Sequence, residues 1–79
     1  MLAAFTARQG QYLAFIYYYS KINRRPPAEA DIQRYFKVAA PTVHQMVLAL
    51  EVAGHIQRLP GEARSMRVLV SSEQLPALE

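Results

Sequence analysis

Apolar side chains recur at helical spacing near the middle of the chain. The repeating positions, three or four residues apart, are Val43, Met46, Val47 and Leu50. This spacing places them on one stripe of a helix. Pro41 suits the first helical position, and Gly54 suits the position just after a helix, where glycine readily adopts a left-handed conformation. The pattern therefore predicts a helix from about Pro41 to Ala53 that buries one face.

A longer helix is predicted near the start of the chain. Thr6 and Gln9 have the spacing of a capping box, in which each side chain bonds the other's backbone N–H. The apolar pattern continues to Asn23, which predicts a helix over about residues 7–22. Its predicted buried stripe is Tyr12, Ile16 and Tyr19, with Leu13, Phe15 and Ser20 at the margins and Ala14 outside.

A short helix is predicted between these two. Pro26-Pro27 forces an extended entry, and Ala28–Phe36 then has helical composition, with Glu29 and Asp31 in the first turn, where the helix dipole favours acids. Its predicted apolar contacts are Ala30, Ile32, Tyr35 and Phe36. Residues 37–40 remain as a turn, short enough that the flanking helices must cross steeply.

The periodicity changes after Gly54. Residues 55–59 alternate between apolar and polar, residues 60–64 contain Pro and Gly, and residues 65–70 are rich in β-formers, which predicts a two-stranded hairpin. A helix-turn-helix followed by a hairpin predicts a mainly α fold with a small β-wing, a three-helix winged helix-turn-helix over residues 1–70. Residues 71–79 are predicted to be a flexible tail.

Composition narrows the class of protein. Seventy-nine residues make one domain, and 52% hydrophobic content excludes a disordered chain. No apolar run approaches the roughly 20 residues that span a bilayer, no signal-peptide pattern opens the sequence, and cysteine is absent. We therefore expect a cytoplasmic protein. The net charge of +3 and pI near 9.6 permit an anionic partner without requiring one.

Two groups of polar residues are candidates for contact with DNA. Short polar side chains near the start of an exposed helix suit the major groove, where base edges offer donors and acceptors. The candidate base-reading residues are Thr42, His44 and Gln45. Basic side chains of the turn and wing are candidates for phosphate contact. These are Lys37, Arg58, Arg64 and Arg67, although such residues are also common as solvated surface charges.

Other chemistry has little support in the sequence. His44 and His55, eleven residues apart without cysteine, do not have the spacing of a metal site. Glu29 and Asp31 suit a helix dipole better than catalysis. No nucleophile–base pair or glycine-rich phosphate loop is present, so we expect no enzyme activity, no cofactor and no small-molecule ligand.

Several apolar residues are predicted to lie outside the buried stripes. They are Tyr18 on the first helix, with Tyr17 at the edge of its stripe, and Leu48 and Val52 on the third. They form either a partner surface, such as that of a homodimer, or ordinary exposed apolar area, of which small proteins have much.

Several sequence stretches together resemble the N-terminal DNA-binding domain of the LexA repressor family. The matching stretches are Phe5-Thr6-Ala7-Arg8-Gln9, Arg25-Pro26-Pro27-Ala28-Glu29-Ala30-Asp31-Ile32, Pro41-Thr42-Val43-His44, Leu48-Ala49-Leu50-Glu51, Gly54-His55-Ile56 and residues 60–69. The resemblance implies a winged fold with its third helix in the major groove, base contacts from Thr42, His44 and Gln45, and phosphate contacts from the wing. We therefore expect a small bacterial-type transcriptional regulator that binds double-stranded DNA. The alternative is a winged-helix module that binds proteins.

The sequence also departs from that family. Full LexA proteins carry a C-terminal domain with a Ser-Lys dyad that cuts its own linker, whereas this sequence has no lysine after Lys37. A stand-alone domain without self-cleavage is therefore expected. The turn before Pro41 is one residue shorter than in many members of the family. Leu78-Glu79 resembles the dipeptide that often precedes a purification tag, and no function is assigned to it.

Overall fold

The structure, a computed structural model, describes residues 5–79, so the first four residues of the predicted domain 1–70 lie outside the described residues. The elements in chain order are α1 (Ala7–Asn23), α2 (Glu29–Phe36), α3 (Ala40–Val52), β1 (Ile56–Gln57), β2 (Arg67–Val68) and a 3-10 helix (Ser72–Gln74). The two strands pair in antiparallel fashion. Three helices followed by this pair confirm the predicted winged helix-turn-helix.

Helix α1 begins at the predicted capping box. The Gln9 N–H donates to the Thr6 hydroxyl at 3.1 Å, and the Thr6 N–H donates to the Gln9 side-chain oxygen at 2.9 Å. The helix extends to Asn23, one residue beyond the prediction. Arg24 follows it in a left-handed conformation and caps its end. Ala14, predicted to lie outside the buried stripe, is fully buried. That prediction was wrong because α1 is covered on a broad side by α2 and β2 rather than along a single stripe.

Helix α2 packs mainly through Ile32, which is fully buried. Ala30, predicted as an apolar contact, is exposed in the first turn, and Tyr35 is 41% exposed. Phe36 is the last residue of the helix. Lys37 follows it with a left-handed φ of 57°, and its N–H donates to the Gln33 carbonyl at 2.8 Å. The turn to α3 is therefore compact.

Helix α3 buries the stripe that its periodicity predicts. Val43, Val47 and Leu50 are fully buried, and Met46 is half-buried against them. The helix begins at Ala40, which puts Pro41 at the second helical position rather than the first, and it ends at Val52. Gly54 follows with a φ of 81°, a conformation in which a β-carbon would be strained.

The wing, residues 55–70, has shorter strands than the alternation predicts. Ile56 pairs with Val68 and Gln57 with Arg67, and the ladder stops there. The Ser65 hydroxyl holds the loop between the strands, since it accepts from the Leu59 N–H at 2.9 Å. Met66 is buried, so the chain turns into the core before β2 rather than continuing the ladder.

The C-terminal segment, residues 71–79, was predicted to be a flexible tail, and in the structure it lies against the domain. The Gln11 side chain donates to the Ala77 carbonyl and accepts from the Glu79 N–H, both at 2.9 Å. Leu75 and Leu78 pack against the core. The amide of Gln11 therefore pairs with the backbone of this segment much as a neighbouring strand would.

A single core joins the three helices and the wing. Its buried members are Tyr12, Leu13, Phe15, Ile16, Ile32, Val43, Val47, Leu50, Ile56 and Met66. Phe36 stacks on Tyr12 with ring centroids 4.4 Å apart. Among the described residues, no helix has the length and apolar character that crossing a membrane requires.

Candidate nucleic-acid interface

The exposed α3 face consists of Thr42, His44, Gln45, Leu48 and Val52. All five side chains are exposed; four of them lie away from the buried stripe, and Thr42 lies at its margin, beside Met46. Leu48 follows His44 by four residues and Gln45 by three, so the three side chains are neighbours on the helix surface. The polar candidates and the exposed apolar residues therefore form one surface, and they are not separate sites.

His44 is paired with a carboxylate of the preceding helix. Its Nδ1 atom lies 3.2 Å from both carboxylate oxygens of Glu29. The His44 side chain is 55% exposed and that of Glu29 is 34% exposed, so the pair lies at the surface. The contact joins the first residue of α2 to the start of α3.

Arg58 extends this pair into a network, the α3 charge cluster of Glu29, His44, Glu51 and Arg58. Its Nη2 donates to Glu51 Oε1 at 2.7 Å, and its Nη1 lies 3.7 Å from Glu29 Oε2. The hydrogen bond to Glu51 raises the pKa of the Arg58 guanidinium, and the charge of Glu29 adds to this effect. Arg58, predicted to contact phosphate, is thus held between two carboxylates.

Arg64 is turned toward the body of the domain. Its Nη1 donates to Asp31 Oδ2 at 2.9 Å, and to the Tyr19 hydroxyl and the Pro26 carbonyl at 3.3 Å each. These bonds tie the wing to α1, to the double-proline turn and to α2. All three bonds are made by Nη1, so a phosphate contact that used Nη1 would compete with them.

The other two residues predicted to contact phosphate have fewer internal bonds than Arg58 and Arg64. Lys37 is exposed at the turn before α3, and among the residues that the structure describes no ion pair is recorded for its ammonium group. Arg67 is exposed on β2, and within residues 5–79 the hydrogen bond recorded for its guanidinium group is a long one, 3.4 Å, to the Gln57 side-chain oxygen. Both side chains can move to a phosphate with little loss of internal contact.

Two acidic residues of this region were missed by the sequence analysis. Glu29 was assigned to the dipole of α2, and Glu51 was given no role, yet both carboxylates hold Arg58. Glu29 and His44 are fifteen residues apart and on different helices, so no local spacing signals their contact. The packing of α2 against α3 brings them together.

The candidate partner residues differ in their surroundings. Val52 is 89% exposed, whereas Leu48 and Tyr18 are each about two-fifths exposed. Tyr17 is half-buried: its ring meets Tyr18 at a centroid distance of 5.1 Å, and the Lys21 ammonium lies 5.5 Å from its centre. The tyrosines lie on α1 and the other two residues on α3, so they belong to two surfaces.

The structure gives no support to a metal site within residues 5–79, where no group of three His, Asp or Glu side chains is suitably arranged. His55 is buried and packs edge-on against Phe5, with ring centroids 5.7 Å apart. It therefore belongs to the packing of the domain rather than to the surface of α3.

Comparison with known proteins identifies the family. The family model of the LexA DNA binding domain matches residues 2–65. A LexA repressor of Thermotoga neapolitana is 36% identical over 66 residues, which are 84% of this chain and 34% of that protein. The LexA repressor of Thermosipho africanus is 38% identical over 68 residues, 86% of this chain and 34% of that protein. The chain thus spans about a third of the length of these relatives. It belongs to the LexA DNA-binding domain family.

Proposed function

We propose that this chain binds double-stranded DNA with sequence preference, inserts α3 into the major groove and represses transcription by occupying promoter DNA. The observation that carries the proposal is the exposed α3 face, with three polar side chains in the first half of a helix on a winged scaffold. Family membership supports the same function, since the related proteins are LexA repressors.

Base contacts are assigned to Thr42, His44 and Gln45. A glutamine amide can pair with N6 and N7 of adenine, and threonine can pair with several base edges. Leu48 lies beside His44 and Gln45, where an apolar side chain can contact a thymine methyl group. The apolar part of this surface is therefore compatible with DNA.

Phosphate contacts are assigned to Lys37 and Arg67. The internal bonds of Arg58 and Arg64 favour structural roles for these two residues, in contrast to the roles expected from the sequence. Each phosphate contact releases counterions and adds about 0.9 to the log–log slope of affinity against salt. We expect Arg67→Ala to lower affinity for all sequences and to reduce that slope by about 0.9.

The direct test uses the whole chain and a pool of random-sequence duplexes. Binding is measured by fluorescence anisotropy at low and moderate salt, and the bound fraction is then selected and sequenced. We expect salt-sensitive binding and an enriched motif, and we expect Gln45→Ala to change the motif where Arg67→Ala does not. Absence of binding at low salt would contradict the proposal.

A second candidate function is protein binding, favoured by the exposure of Leu48 and Val52. A homodimer through Tyr17 and Tyr18 is the related hypothesis for α1. Both are tested by sedimentation equilibrium of the free chain and of its mixture with the selected duplex. A monomer at high micromolar concentration that binds DNA would exclude the homodimer and favour contact of Leu48 with the groove.

A further inference from the structure

We propose that Glu29 determines sequence specificity through His44: its carboxylate takes the Nδ1 hydrogen and leaves Nε2 as the atom that contacts a base. Glu29 is in this view a positioning residue, and it need not touch DNA itself. The inference rests on the proposed function, because it assigns the chemistry of one of the three proposed base contacts.

The geometry favours a fixed orientation of the imidazole. Nδ1 faces both carboxylate oxygens of Glu29 at equal distances of 3.2 Å. Nη1 of Arg58 lies 3.7 Å from Oε2 of the same carboxylate, and Arg58 is itself anchored by Glu51. The ring of His44 is thus attached to α2 and to the wing, while more than half of the side chain remains exposed.

The chemistry fixes the position of the hydrogen. An ionised carboxylate only accepts hydrogen bonds, so the ring nitrogen that faces it must carry the hydrogen. In a neutral imidazole the other nitrogen is then an acceptor. Free histidine in water prefers its hydrogen on Nε2, so Glu29 reverses the ordinary preference. Within the described residues, the contacts recorded for the ring of His44 involve Nδ1, and none is recorded for Nε2.

This assignment predicts which bases His44 favours. An acceptor in the major groove pairs with an exocyclic amino group, N6 of adenine or N4 of cytosine, and not with the two acceptors of guanine. We therefore expect an amino-bearing base, adenine or cytosine, at the position that His44 contacts. One such hydrogen bond corresponds to a preference of about fivefold.

The same assignment predicts that acid changes the preference. When the ring gains a proton, Nε2 becomes a donor and matches N7 and O6 of guanine. The charged groups around the ring are Glu29 from α2 and, beyond it, Arg58 after β1 and Glu51 from α3. The predicted switch follows from protonation of the His44 ring, which makes both ring nitrogens donors.

The first experiment measures the tautomer in the free protein. Nitrogen-15 spectra of the His44 ring at about pH 8 distinguish hydrogen on Nδ1 from hydrogen on Nε2. We expect Nδ1–H in the natural chain and a mixture in Glu29→Gln, since an amide can donate as well as accept. Glu73→Gln, which removes the same charge from the C-terminal segment, should match the natural chain. Nε2–H in the natural chain would overturn the proposal.

The second experiment selects duplexes with the natural chain, Glu29→Gln and His44→Ala at about pH 8 and about pH 5.5. We expect the natural chain to move from adenine or cytosine toward guanine at one position, and both variants to lose about fivefold of preference at that position. A preference unchanged by Glu29→Gln would overturn this inference alone. Failure of the natural chain to bind any duplex would overturn the proposed function and this inference with it.

Discussion

The carboxylate of Asp31 accepts hydrogen bonds from two separate parts of the domain, the start of α2 and the wing. Its Oδ2 accepts from the Ala28 N–H at 2.8 Å and from Arg64 Nη1 at 2.9 Å. The backbone bond from Ala28 is the main reason that the pKa of Asp31 lies below its ordinary value of 3.8, and Arg64 lowers it further although burial opposes both. The side chain is only 11% exposed, so solvent screens these bonds weakly.

Replacement of Asp31 should therefore destabilise the domain. We expect Asp31→Ala to cost about 2 kcal/mol in urea unfolding near neutral pH, because it removes a helix-start bond and leaves Arg64 partly unpaired. Asp31→Asn is the matched control, since it can still accept from the Ala28 N–H, and it should cost less. Equal losses would assign the effect to charge alone.

The lowered pKa of Asp31 also gives the sign of a pH dependence. Its contribution to stability is complete above the unfolded-state value near 3.8 and is lost as pH falls through the lower folded-state value. We expect acid to unfold the natural chain with a steeper pH dependence below about pH 4 than Asp31→Asn shows. Parallel curves for the two proteins would contradict this assignment.

Glu51 is expected to weaken DNA binding. Its carboxylate holds Arg58 and adds a negative charge to α3. We expect Glu51→Gln to raise affinity for all duplexes at low salt about twofold to tenfold and to increase the salt slope by up to about 0.9, because Arg58 is then held less firmly. Glu73→Gln serves as the control for net charge. An equal gain in that control would exclude a specific role for Glu51.

Side-chain roles were the least predictable part of the molecule. The exposure of Thr42, His44 and Gln45 followed from the helical period alone. The partners of Arg58 and Arg64 did not, since these guanidinium groups bond residues 7 to 45 positions away. The carboxylate that a long, flexible side chain pairs with depends on which acidic residues the tertiary fold brings within reach, and local sequence does not show this.

At the scale of elements, the C-terminal segment depends on a glycine of α1. A β-carbon at Gly10 would lie 3.0 Å from the Phe5 ring and 3.1 Å from Pro76 Cγ, closer than ordinary contacts. Glycine inside a helix normally costs about 1 kcal/mol relative to alanine. Here it leaves room for Pro76, and Gln11 beside it bonds the same segment.

Gly10→Ala should accordingly loosen residues 71–79. We expect faster hydrogen exchange at the Glu79 N–H and faster proteolysis of the segment, while α3 is unaffected. The double variant Gly10→Ala with Pro76→Ala removes the contact with Pro76 Cγ but leaves the contact with the Phe5 ring, and it should return part of the protection. Unchanged exchange in the single variant would indicate that Pro76 simply shifts aside.

The elements themselves were largely predictable from period and caps. All three helices were predicted to within a residue or two, because capping signals and an apolar stripe both act over a few residues. The hairpin was predicted too long, since alternation does not reveal that Met66 turns into the core. The packing of Leu75 and Leu78 was missed because it depends on a complementary surface of α1 more than sixty residues away.

For the whole molecule, fewer basic side chains are free to contact phosphate than the composition indicates. Of nine basic residues, Arg34, Arg58 and Arg64 form ion pairs with acids in the structure. If Lys37 and Arg67 provide the phosphate contacts, the log–log salt slope for non-specific DNA should be about 2. A slope near 4, measured by anisotropy across a salt series, would mean that Arg58 and Arg64 also leave their internal partners.

The anchoring of Arg64 has a thermodynamic consequence for the encounter with DNA. Three hydrogen bonds already hold the wing against the helices, so little conformational entropy remains to be lost there when a duplex arrives. Complex formation should resemble rigid docking, with a change in heat capacity no larger than surface burial accounts for. We therefore expect the wing to have nearly the same conformation in the free and in the DNA-bound domain.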